Sequence, residues 1–132
     1  KAFFLSAALF LLLQTAQTQV SYTWNGSLSS LWSAPGNWTP AGIPGAADDV
    51  RIVTAPNVCR LTTSAAINNI TLAGGTLDLN SFTLTINGTT ATFSSGTVQN
   101  GSMVVPSANA TAFGTGAVTM DCAVTISTAT IS

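Results

Sequence analysis

The sequence predicts an all-β fold: a right-handed parallel β-solenoid with about 21 residues and three short strands per coil. An irregular Trp-rich cap precedes the coils, and a helical signal peptide precedes the cap. Three observations predict this. After Val50, apolar alternations recur every six to eight residues between Gly, Asn and Ser. Equivalent residues return at a spacing of 20 to 21. Thr, Ser, Gly, Asn, Ala and Val dominate this stretch, a composition that suits short strands and tight turns and predicts no helix after the signal.

The first element is the leader, residues 1–19. Lys1 precedes a small and apolar run from Ala2 to Leu13, and the polar stretch Gln14 to Gln19 follows, which is the layout of a secretory signal peptide. A transmembrane helix needs ~20 apolar residues, and this run has twelve. Export is therefore expected, with the mature chain starting between Gln17 and Ser21 and containing no membrane span. The second element, residues 20–49, holds all three tryptophans, Trp24, Trp32 and Trp38, with Pro35, Pro40 and Pro44. It reads as an aromatic-packed cap.

Residues 50–132 form the third element, the coils. Aligned at the repeat spacing, Ile52, Leu72, Phe93 and Phe113 share a column, and the loops that follow three of them, Ala73-Gly74-Gly75, Ser94-Ser95-Gly96 and Gly114-Thr115-Gly116, each end in Gly. The next columns are Leu77, Val98 and Val118, then Val58, Leu79, Asn100 and Met120. The third strand gives Leu61, Phe82, Met103 and Val124, then Thr63, Leu84, Val105 and Ile126. An extra residue is expected at Asp121-Cys122-Ala123, relative to Gly101-Ser102. Stacked coils bury their apolar faces only against one another, which is why like residues recur in columns. A β-sandwich is the alternative, but it predicts alternation without a fixed spacing.

The chemical inventory is small. The chain has no His, and its formal net charge is −1. Beyond Val20 the charged residues are Arg51, Arg60, Asp48, Asp49, Asp78 and Asp121. With no basic patch, nucleic-acid binding has no electrostatic support. Without His, an ordinary catalytic triad and a His-ligated metal are excluded. No cofactor is expected.

The landmarks Tyr22-Thr23-Trp24-Asn25-Gly26, Trp32, Gly36-Asn37-Trp38, Ile43-Pro44 and Asp48-Asp49-Val50 stand in order before the first coil. Ile67-Asn68-Asn69-Ile70-Thr71-Leu72, Leu77-Asp78-Leu79-Asn80 and Leu84-Thr85-Ile86-Asn87-Gly88 continue the pattern. Over about residues 22–90 the chain resembles secreted bacterial β-solenoid surface proteins, namely autotransporter-type passenger domains and adhesin-like proteins. The resemblance implies a β-solenoid and a place outside or on the surface of a bacterial cell. The partners it implies are glycans or other surface proteins. A continuation of the solenoid beyond Ser132 is also expected.

Each candidate site has a competing structural role. Trp24, Trp32 and Trp38 could stack sugars, but the expectation is that they close the open end of the first coil, which would otherwise expose apolar surface and strand edges. Asp48 and Asp49 could ligate calcium; local bonds to backbone N–H groups are the competing role. Glycoside hydrolysis needs two carboxyls ~5 to 9.5 Å apart, and the alignment places Asp121 beside Asn80, two coils from Asp78 and laterally offset. Thr76 and Thr97 begin a hydroxyl row that ends at Ala117 in this alignment. Cys59 and Cys122, 63 residues apart, fall three coils apart, ~14 Å at ~4.8 Å per rung, so two unpaired thiols are expected. The function expected is a structural or adhesive extracellular scaffold and not an enzyme. The alternatives are the N-terminal part of a carbohydrate-active β-helix enzyme and a carbohydrate-binding module.

Overall fold

The computed structural model describes residues 18–106 and 110–127, so the expected leader falls almost entirely outside the described residues. The lead-in consists of β1 (Ser21–Trp24), a single 3₁₀ turn (Pro35–Asn37) and β2 (Trp38–Thr39). The first rung is β3 (Asp49–Ile52), β4 (Cys59–Arg60) and β5 (Ala65–Ile67), and the second is β6 (Ile70–Asp78) and β7 (Thr83–Ile86). β8 (Thr90–Pro106) forms the third rung without interruption, and β9 (Ala110–Phe113) with β10 (Val118–Ser127) forms the last. These strands make one sheet curled into a β-solenoid of about three turns, successive turns being about 21 residues apart. β1 and β2 pair antiparallel, and every rung-to-rung pairing is parallel. A sandwich of antiparallel strands is not what forms.

The first column stands as the spacing predicts: Ile52 faces Leu72, Leu72 faces Phe93, and Phe93 faces Phe113. The other columns shift. Leu77 does face Val98, but Val98 faces Met120 and not Val118, while Cys59 takes the place expected for a neighbour of Leu77. Met103 faces Val124 and Val105 faces Ile126 as expected, yet Leu84 faces Met103 and Ala65 faces Leu84. A uniform period fails because the corners differ in length. Residues 79–82 separate the paired Asp78 and Thr83, whereas only Asn100 and Gly101 separate their partners Gln99 and Ser102. Asn80 and Ser81 adopt φ of 50° and 68° in the longer corner, and Asn100 adopts 60° in the shorter one. Asn100 therefore sits at an exposed bend and not in the apolar interior. The irregularity at Asp121–Ala123 is present with opposite sign: Cys122 alone stands against Asn100 and Gly101, so the last rung is shorter there.

The recurring third glycine has a steric cause. Gly75 and Gly96 adopt φ of 70° and 110°. A Cβ on Gly96 would lie 2.7 Å from the Gly75 carbonyl oxygen, and one on Gly75 would lie 2.6 Å from that of Val53. The corners thus stack backbone on backbone, and a side chain would force them apart.

Apolar side chains at the inward positions of these columns make a single core that includes Ile52, Leu72, Leu77, Leu84, Phe93, Val98 and Met103. Cys59 belongs to it, and both cysteines are unpaired. Burial pushes the Cys59 thiol well up, and burial followed by the Asp121 charge raises that of Cys122. Native protein should therefore react with a thiol reagent at Cys122 well before Cys59. Unfolding without reductant should release two thiols per chain, and a single titratable thiol or none would contradict the stacking.

Candidate functional site

The lead-in covers the first rung, and the sequence dictates how. β1 lies parallel to β3, with Tyr22 against Val50, and this pairing covers the lower edge of β3. The edge of β4 is met by a bridge from Leu31 to Arg60, supported by Trp32 N–H donating to the Arg60 carbonyl at 2.8 Å. Between these two covers the chain folds back through β2, which brings Trp38 opposite Trp24.

All three tryptophans are buried, with exposures of 1% for Trp24, 4% for Trp32 and 2% for Trp38. Trp38 is the centre. Trp24 and Trp32 approach it edge to face at centroid distances of 5.0 and 4.8 Å, and Tyr22 does so at 6.3 Å. Such T-shaped contacts match the positive ring edge to the negative face. The polar handles are used internally: Trp38 Nε1 donates to the Trp32 carbonyl at 2.8 Å, and Trp24 Nε1 donates to the Asn57 carbonyl at 2.9 Å. The structure thus brings the three candidate sugar-stacking residues, Trp24, Trp32 and Trp38, together in one buried cluster.

The cap is held by a residue whose role the sequence did not reveal. Asn37 is fully buried. Its Oδ1 accepts from the backbone N–H groups of Leu28 and Ser29, both at 2.9 Å, and its Nδ2 donates to Ser29 Oγ and the Leu31 carbonyl. Its own carbonyl accepts from Asn25 and Gly26. One amide thus fixes the loop that carries Trp32. The Gly36-Asn37-Trp38 landmark was the only signal in the sequence, and it marked the position without the bonds.

Asp48 and Asp49 are engaged by donors. Asp48 Oδ1 accepts from Val20 N–H and Oδ2 from Gly45 N–H, while Asp49 accepts from Gln19, Asn68 and Asn69 side-chain amides. The orientation of Asn69 is fixed because its Oδ1 accepts from Thr90 N–H at 2.9 Å. Nδ2 therefore faces Asp49. The two candidate calcium ligands, Asp48 and Asp49, thus both accept hydrogen bonds within the chain. Among the described residues no cluster of three or more His, Cys, Asp or Glu is arranged to hold a metal.

The carboxylates of the coils also differ from expectation. Asp78 faces Gln99, and Gln99 faces Asp121. The two aspartates therefore share one column, about 9.5 Å apart at two rungs, without the lateral offset expected. Asp78 is nonetheless buried and occupied. Its Oδ2 accepts from Arg60 Nε at 3.0 Å, and its Oδ1 accepts from Asn80 N–H and Asn100 Nδ2. Burial pushes its carboxyl up, but the hydrogen bonds from Arg60, Asn100 and Asn80 and the Arg60 charge outweigh this and hold it below the usual carboxylate range. A group depressed on folding contributes stability that is present above its unfolded value and lost as pH falls through the folded one. Melting temperature should therefore drop on acidification from about pH 5 to about pH 2, and the drop should be shallower in Asp78→Asn. Parallel pH profiles for the two proteins would contradict this.

The hydroxyl row is longer than expected: Thr76 faces Thr97 and Thr97 faces Thr119, because the local offset bypasses Ala117. Among the described residues no helix is long and apolar enough to cross a membrane.

The family model described as Domain of unknown function (DUF8693) matches residues 23–128, and the chain belongs to that family. None of the curated proteins and none of the solved structures compared with the chain matches it.

Proposed function

We propose that this member of the family is a non-catalytic structural or adhesive segment of a secreted or cell-surface bacterial protein, and that it starts and caps a longitudinal β-solenoid scaffold. One observation carries the reading: the three tryptophans are spent on closing one end of the coil, with their rings buried and the indole N–H groups of Trp24 and Trp38 bonded to backbone. The limited chemistry supports it. General acid catalysis at neutral pH needs a carboxyl that keeps its proton, and the surroundings of Asp78 act in the opposite direction. Partners of such a scaffold would be other surface proteins or glycans met by its exposed faces.

Two measurements on the same proteins test the proposal. Wild type, Trp24→Ala and Trp38→Ala are melted and applied to a glycan array. Under the scaffold reading both variants melt lower, and wild type shows no saturable glycan binding that depends on either ring. Variants that melt like wild type but lose glycan binding would overturn it in favour of a carbohydrate-binding module. Turnover of a polysaccharide by the wild-type chain would overturn it in favour of an enzyme.

A further inference from the structure

The cap closes the lower end of the coil unevenly. Backbone pairing covers β3 with β1 and β4 with Leu31, but among the described residues β5, the third strand of the same rung, pairs only with β7 above it. The direction of its free groups follows from its neighbours. The Ile67 carbonyl accepts from Asn87 N–H in the rung above, whereas Asn68 N–H donates downward to the Asp48 carbonyl, both at 2.8 Å. Backbone groups alternate in direction along a strand, so Ala66, like Asn68, turns its N–H and C=O downward. Nothing described meets either group. They open into a groove of about 330 Å³, roofed by residues 62–66 and floored by Trp32, Ser33 and residues 43–46.

We infer that this groove takes an extended, uncharged segment of a separate polypeptide, which adds one short strand to the lower edge of β5. Three features select this occupant. First, the groove continues a seam already made by backbone pairing: β1 and Leu31 cover the lower edges of the first two strands of the rung, and a third strand in line with them would satisfy the N–H and C=O of Ala66 together. Second, the floor cannot rise to do so. Pro44 has no N–H to donate, and Gly45 is tied into its own turn, with its N–H donating to Asp48 Oδ2 at 2.8 Å and its carbonyl accepting from Asp48 N–H at 3.0 Å. Third, no charged residue lines the groove, and Ile43 is half-exposed beside buried Trp32 and Pro44. A charged side chain entering it would lose water without gaining a partner, whereas small β-branched side chains suit both the strand and the lining. A second copy carries the same floor beneath its own β5, so two such edges cannot meet.

The inference rests on the scaffold reading for the existence of a protein partner, but its test uses neither the tryptophan variants nor the glycan array, so the two fail separately. A phage-displayed library of random short peptides is panned against the chain, and the best binder is synthesised with a fluorophore and titrated by anisotropy. Enriched peptides should carry uncharged, β-branched residues at their centre. Two variants probe the groove. Ala66→Pro deletes the downward N–H at a position where an edge strand accepts proline, and Ala46→Trp fills the groove from its floor. Each should melt within a few degrees of wild type and weaken peptide binding about tenfold or more. N-methylation of each central peptide amide in turn should abolish binding at alternate positions, a pattern that strand pairing requires and a purely apolar pocket does not. Absence of any enriched peptide, equal affinity for wild type and the folded variants, or indifference to N-methylation would overturn the inference. A discrete dimer in sedimentation that the variants dissolve would assign the groove to a second copy and overturn it as well. Should one variant unfold, the other and the methylation scan still decide.

Discussion

Replacing Trp38 by alanine should cost about 3–5 kcal/mol, the range for truncating a buried large aromatic. The ring is the common partner of Tyr22, Trp24 and Trp32, so its loss removes three edge-to-face contacts at once. It also leaves the Trp32 carbonyl without the Nε1 donor in a buried setting. A chain of this size draws on a total stability of roughly 5–15 kcal/mol. The variant should therefore approach the edge of folding and aggregate on warming, since opening the plug exposes the lower edges of β3 and β4. Trp38→Phe should recover part of the loss by refilling the volume, without restoring the hydrogen bond. Denaturant melts of the three proteins check this, and a Trp38→Ala midpoint close to wild type would contradict the plug.

Asn37→Leu should be at least as damaging although it keeps the branched shape of the side chain. The leucine would fill the site and leave the N–H groups of Leu28 and Ser29 and the Leu31 carbonyl unsatisfied. At about 1–3 kcal/mol for each of the three buried orphans, the loss should lie between about 3 and 9 kcal/mol. Asn37→Asp separates the polar contribution from the steric one. It keeps an acceptor for the two N–H groups but turns an oxygen toward the Leu31 carbonyl, and the buried charge adds a further cost. Protonation restores one donor, so this variant alone should gain stability relative to wild type as pH falls. Equal pH profiles for Asn37→Asp and wild type would show that the amide donates nothing of consequence.

The solenoid was legible in the sequence because its inward positions are chemically redundant: Ile52, Leu72, Phe93 and Phe113 need only be apolar and recur, and they do. Register was legible only where corners have equal length. Leu84 was assigned to Val105 and pairs with Met103, because corner length depends on single residues that tolerate positive φ, such as Asn80 and Ser81, and these leave no periodic trace. The cap was legible as a place and not as a mechanism. Three tryptophans before a first coil suggest a plug from composition alone. Asn37 works through partners scattered over residues 28–31, and Asp78 through Arg60 one rung below, so neither shows itself in local sequence. The presence of only two arginines in the chain was a usable sign that Arg60 had a specific partner.

The location of the plug on the N-terminal side of the coils has a kinetic consequence. Its contacts close early: Trp24 bonds to Asn57, Trp32 to Arg60, and β1 lies on β3, so every partner named for the cap rings lies within about the first sixty residues. A ribosome releases that stretch before any later coil exists. The closed end can then act as a seed on which each subsequent turn is added in order of synthesis, with loop closures of about one coil and no need to hold distant segments unfolded. Growth from a finished base also keeps only one growing front exposed at any moment, which limits the time during which an apolar edge can meet another chain.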